Sequence, residues 1–150
     1  MKESPTLPSV GKASNRRGPA FLWLAAALGW AIWVIAMGTE SDPRANWLTN
    51  LLGDKALHAG SFAVGGMLWI HSLRRVGDIA YGIAAVLGCV VCLAFGVLLE
   101  VLQKRIPGRE ADPNDLVADM AGIVAAMGLY LLASWVSTRR HASRKHVEKT

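Results

Sequence analysis

Residues 79–102 read IAYGIAAVLGCVVCLAFGVLLEVL, and this stretch decides the fold. Its only charge is Glu100, near the C-terminal end. At ~1.5 Å rise per residue such a helix spans ~36 Å, enough for a hydrocarbon core of ~30 Å. A helix of a soluble bundle carries a polar stripe, and none runs along this one. The segment is expected to lie in lipid.

Working outward, three more apolar windows emerge. Residues 20–38 hold no charge, 56–73 hold only His58 and His71 near the two ends, and 116–136 hold Asp119 near the start. The chain of 150 residues has room for one domain. Hydrophobic residues make up 53% and the mean hydropathy is +0.33, although 16 Lys and Arg and 11 Asp and Glu are present. Such a mixture implies apolar blocks separated by charged connectors. The expected fold is all-α: a four-helix transmembrane bundle. A cleaved signal peptide is the competing account of the first window. Its apolar run exceeds the usual ~7–15 residues and no clean cleavage site follows, so it reads as a true span.

Orientation follows from Lys and Arg. With the N-terminus inside, the inner segments carry Lys2, Lys12, Arg16, Arg17, Arg74, Arg75, Arg139, Arg140, Arg144, Lys145 and Lys149. The outer segments carry only Arg44, Lys55, Lys104, Arg105 and Arg109. The positive-inside rule therefore predicts both termini in the cytoplasm. The formal charge of +5 then reflects topology and anionic lipid, with no need for a nucleic-acid partner. Residues 1–18 are expected to form a disordered basic arm, 19–137 the membrane domain, and 138–150 a basic tail that can extend the last helix.

The connectors carry their own punctuation. Asp42–Pro43 predicts an N-cap and first helical position, followed by Trp47, Leu48, Leu51 and Leu52 on one face of a short interfacial helix ended by Gly53. Asp54 is expected to cap the second span. Ile106–Pro107–Gly108 stops the third span, and Asp112–Pro113–Asn114–Asp115 opens the fourth as a capping-box-like start. Short loops make successive helices antiparallel neighbours. Gly60, Gly65, Gly66, Gly88, Gly96, Gly122 and Gly128, with Ala59, Ala63 and Ala126, permit close helix approach. Trp23, Trp30 and Trp33 fall near one face and read as packing and interface anchors. Cys89 and Cys92 form a C-x-x-C in the third span, better read as small apolar packing residues than as a redox or metal pair.

The polar residues that matter lie at the outer ends of three spans. Asp54, Lys55 and His58 share one helical face; Glu100 and Gln103 are three apart; Arg109 lies in the loop; Asp112, Asp115 and Asp119 follow at i, i+3 and i+7. A charge facing lipid is costly, by ~3 kcal/mol on insertion scales, so Glu100 and Asp119 should point inward and be paired. Arg109 is the natural partner, with His58 and Lys55 as others. Capping accounts for Asp42, Asp54 and Asp112, whereas His58, Glu100 and Asp119 enter apolar segments without that need.

Two separated blocks, DKALHAGSFAVGGML at 54–68 and EVLQKRIPGREADPNDLVADMAG at 100–122, resemble the VanZ-like family of bacterial membrane proteins. Asp54, Lys55, His58, Glu100, Gln103, Arg109, Asp112, Asp115 and Gly122 match the family's positions, whereas Asp119 stands where the family usually carries Asn. The resemblance covers about residues 20–137. It implies a helical domain of the bacterial cytoplasmic membrane whose biochemical activity is not established. The founding member's link to low-level resistance to lipoglycopeptides such as teicoplanin points to the cell envelope.

Three functions follow as expectations. The polar cluster binds a lipid-linked head group or an amphipathic antibiotic, with Arg109 and Lys55 gripping phosphate or carboxylate. Alternatively, His58 and Glu100 act as base and acid, or with Asp115 and Asp119 hold Mg²⁺ or Mn²⁺, in a membrane-embedded enzyme. A third reading is purely structural. No nucleophile motif or established metal-ligand spacing is present, and no cofactor is expected.

Overall fold

In the computed structural model, residues 17–40, 47–107 and 112–147 are described. Among them the chain forms helices α1 (Arg17–Gly38), α2 (Trp47–Leu52), α3 (Asp54–Val76), α4 (Tyr81–Gln103) and α5 (Pro113–Val147), and no strand. Helix α1 opens three residues before its apolar window, so the last part of the expected arm is helical. Helix α5 continues through the basic tail to Val147, well past the apolar window that ends at 136. The expected cap at Asp42–Pro43 lies outside the described residues.

Among the described residues, three helices are long and apolar enough to cross a membrane: Ala20–Gly38, Tyr81–Gln103 and Pro113–Arg140. Only 28–33% of each window is buried inside the protein. Residues such as Phe21, Ile32, Val86, Val90, Val124 and Leu132 point outward, each more than half exposed. So much outward apolar surface suits lipid and would be untenable in water.

Helix α3 is less apolar than these three, and its position explains why. It packs against α1, α2, α4 and α5, whereas α1 and α5 do not touch. An enclosed helix needs less hydrocarbon on its surface than an outer one. Its Gly65, Gly66, Phe62 and Ile70 are buried. The Trp30 ring of α1 lies directly against Gly65, where any side chain would collide with it. Trp30 also donates from Nε1 to the Ser61 carbonyl at 2.8 Å and meets Phe62 and Phe95 edge-on. On the opposite side Gly122 of α5 lies against the Ala59 carbonyl, and Gly66 against Ala126. Close approach through small residues replaces the hydrophobic drive that lipid cannot supply. Gly60 and Gly128 differ: nothing lies within 4 Å of where their Cβ would be, so they are not part of these seams.

Cys92 is buried in the core with Trp30 and Phe62, and Cys89 packs beside it; both are free thiols, in keeping with a packing role. The second core cluster joins Ile70, Ala84, Ala85 and Tyr130. Near it Trp23 stacks on His71 at 4.7 Å between centroids. Tight turns set the helix pairs. Asp78, at φ 47°, carries the left-handed bend between α3 and α4 and accepts from Arg74 at 2.9 Å. Gly53, at φ 79°, separates α2 from α3.

Candidate functional site

The first turn of α3 presents Asp54, Lys55 and His58, and the first two turns of α5 present Asp115 and Asp119. The Gly122–Ala59 approach, one turn further along α5, draws these two helix starts together. Asp112 caps α5 as expected: its Oδ1 accepts from the Asn114 backbone N–H at 2.9 Å, with Pro113 in the first helical position. Its Oδ2 accepts from Lys55 Nζ at 2.5 Å. Asp115 does not complete a capping box. Its Oδ1 accepts from Lys55 and its Oδ2 lies 3.7 Å from His58 Nε2. Nor is Asp54 a cap: Gly53 holds that position, and Asp54 sits in the first turn, where its charge complements the helix dipole.

Deeper in, His58 Nδ1 lies 2.9 Å from Asp119 Oδ1. Asp119 is 1% exposed and Asp115 6%, whereas the Lys55 side chain is about half exposed. Both His58 ring nitrogens thus face a carboxylate oxygen. At the rim, partial burial opposes the charge of Lys55, but the hydrogen bonds to Asp112 and Asp115 outweigh it and raise its pKa. The Lys55 contact, helped by the Asn114 N–H, holds the Asp112 carboxyl below its ordinary value.

The structure thus brings Asp54, Lys55, His58, Asp112, Asp115 and Asp119 into one network. Gln103 does not join it. It is 1% exposed and donates from Nε2 to the Gly38 carbonyl at 3.1 Å, satisfying an orphan acceptor at the end of α1. Glu100 is half-buried at the same end, within electrostatic range of Asp115, Asp119 and His58. Among the described residues it makes no hydrogen bond or ion pair, so the expected pairing with His58 or Lys55 is not formed. Its other expected partner, Arg109, lies outside the described residues. Donor atoms of Asp54, His58 and Asp115 lie within 4.8 Å of one another and are the described set best placed to hold a cation. Lys55, already bound to Asp115 and 3.6 Å from Asp54, would compete for that position.

Two neighbouring cavities lie among α1, α2 and α3, and the smaller reaches the network. A small chamber of about 40 Å³ lies under α2, walled by Asp54 and His58, with Thr49, Met37 and Leu99 around it. An open groove of about 520 Å³ runs between α1 and α3, lined by Trp30, Leu48, Leu52, Gly60, Val64 and Leu68. Trp33, Leu57 and Ser61 line both. Sequence reasoning missed Trp33, Leu57 and Ser61; the one available signal was a tryptophan one turn beyond the core residue Trp30. Comparison of the chain with known protein families, curated proteins and solved structures finds no match.

Proposed function

We propose that the chain is a VanZ-like protein of the bacterial cytoplasmic membrane that binds an amphipathic envelope ligand at its outer face. In this reading α3 also spans the membrane, as the second of four spans and enclosed by the others, and both termini lie in the cytoplasm. That orientation puts the polar network and the chamber on the extracytoplasmic side. The observation that carries the proposal is a cleft in which an apolar groove adjoins a chamber with a polar wall. Its groove is almost wholly apolar, its chamber ends at Asp54 and His58, and three residues line both. A lipid-linked head group or an amphipathic antibiotic has this division along its length. A groove of this size lies within the ~300–1,000 Å³ usual for small-molecule sites.

A metal-assisted enzyme is the competing reading, favoured by the convergence of Asp54, His58 and Asp115. Against it, the Lys55 ammonium already sits on Asp115 and beside Asp54, where a metal ion would have to bind.

The test is to purify the protein in detergent and identify copurifying amphiphiles by mass spectrometry, beside Gly60→Phe. Gly60 lines the groove with open space beyond it, so a phenyl ring can fill the groove without disturbing a helix seam. A species present in the wild type and depleted in the variant is expected. Identical profiles would remove the binding proposal.

A further inference from the structure

Granting the amphiphile-binding cleft proposed above, on which this rests, we infer that its occupant carries a primary ammonium, seated between the Asp54 carboxylate and the Trp33 ring. The alkyl chain of the same molecule lies along the groove between α1 and α3.

Charge is the first reason. Among the described residues, the contact network sets four carboxylates, Asp54, Asp112, Asp115 and Asp119, against one ammonium, Lys55, and one imidazole, His58. Even an imidazolium leaves the carboxylates in excess. Lys55 is held by Asp112 and Asp115 and close to Asp54, so gripping a phosphate would mean giving up those partners. The expectation that Lys55 grips an anionic head group is therefore replaced. An ammonium enters with the local field, and an anion enters against it.

The wall chemistry is the second reason. Trp33 borders both the chamber and the groove, and an indole face attracts an ammonium within ~6 Å by its quadrupole. A carboxylate and an indole on one small chamber are a cation's recognition set. Size is the third reason. About 40 Å³ holds a few water-sized groups, since one water needs ~10–15 Å³ by the same measure. An –NH₃⁺ group fits that space and a sugar ring does not. Beyond it, Leu48, Leu52, Val64 and Leu68 offer a hydrocarbon chain only apolar contact.

The experiment titrates the full chain in a neutral detergent, by native mass spectrometry at neutral pH, with dodecylamine, dodecyl phosphate and dodecanol. One saturable dodecylamine adduct is expected, at least about tenfold tighter than either other probe, a gap of ~1.4 kcal/mol or more. Asp54→Asn should reduce that preference, and Gly60→Phe should weaken all three probes. Equal binding of the three, or tighter dodecyl phosphate, would overturn the ammonium assignment while leaving the cleft intact. No saturable adduct of any probe would remove the cleft itself. The comparison of probes on the wild type decides the question even where a variant fails to fold.

Discussion

Asp119 Oδ1 lies 2.9 Å from His58 Nδ1, joining the start of α5 to the start of α3 at a point where neither is more than slightly exposed. Both residues sit near the polar starts of largely apolar segments. The carboxylate fixes the imidazole ring, and the ring turns Nε2 toward Asp115. The geometry of the chamber wall therefore depends on a residue that does not itself line the chamber.

Asp119→Ala should destabilise the protein by about 3 kcal/mol or more, because it leaves a buried imidazole without its main partner. Asp119→Asn keeps an oxygen that can accept from Nδ1–H and should lose only about 1 kcal/mol. Thermal unfolding in detergent, followed by near-UV circular dichroism, gives the two values. Equal losses would mean that the carboxamide cannot substitute and that charge, more than the hydrogen bond, holds the pair.

Much of this was legible beforehand. The apolar windows gave α1, α4 and α5, because an unbroken hydrocarbon run has few other uses. The short helix before Gly53 and the Asp112–Pro113 start of α5 followed from local backbone chemistry that needs no partner. The i, i+4 spacing of Asp54 and His58 correctly put them on one face. Other features depended on tertiary contacts that spacing cannot encode. Gln103 shares a face with Glu100, yet its amide turns to the Gly38 carbonyl on a different helix. Glycines looked alike in sequence, although Gly122 lies in a helix seam and Gly128 faces open space. The cleft was invisible because it forms between α1, α2 and α3, and no single segment carries its shape.

That difference between glycines can be measured. Gly122→Leu should drive α5 off α3, since the Ala59 backbone lies where the new side chain would go and cannot yield as a flexible side chain would. A loss of ~3 kcal/mol or more, or failure to fold, is expected from overpacking against main chain. Gly128→Leu should be near neutral or slightly stabilising, as helix propensity favours Leu over Gly by roughly 0.5–1 kcal/mol. Detergent unfolding midpoints for the two variants provide the comparison, and similar midpoints would refute the assigned seam.

The rim pair responds to pH in a defined direction. The Asp112 carboxyl is held below its ordinary 3.8 by Lys55 and the Asn114 N–H. Its contribution is fully present above that ordinary value and is lost as pH falls through the lower folded value. Lys55 is raised above its ordinary 10.5 by its carboxylate partners, so its contribution is present below 10.5 and is lost as pH rises through the folded value. Stability should therefore be flat with respect to this pair between those ordinary values and fall outside them. Asp112→Asn should shallow the acid limb, and Lys55→Met the alkaline limb. Added salt should weaken the Lys55–Asp112 contact, which is about half exposed.

The proposed orientation makes the last prediction. By sequence, that orientation assigns eleven Lys and Arg to the inner segments and five to the outer ones. A cysteine at Lys104 should therefore react with a membrane-impermeant maleimide in intact spheroplasts. One at Asp78, in the exposed turn at the other end of α3, should react only after the membrane is opened. The native Cys92 is buried and Cys89 packs beside it within a span, so neither should contribute much background. The two positions flank α4, so the pair tests the crossing of that helix directly. If Lys104→Cys and Asp78→Cys were labelled from the same side, α4 would not cross the membrane between them. The polar network would then have no fixed relation to the outer leaflet, and an envelope ligand arriving from that side would have no route to the chamber.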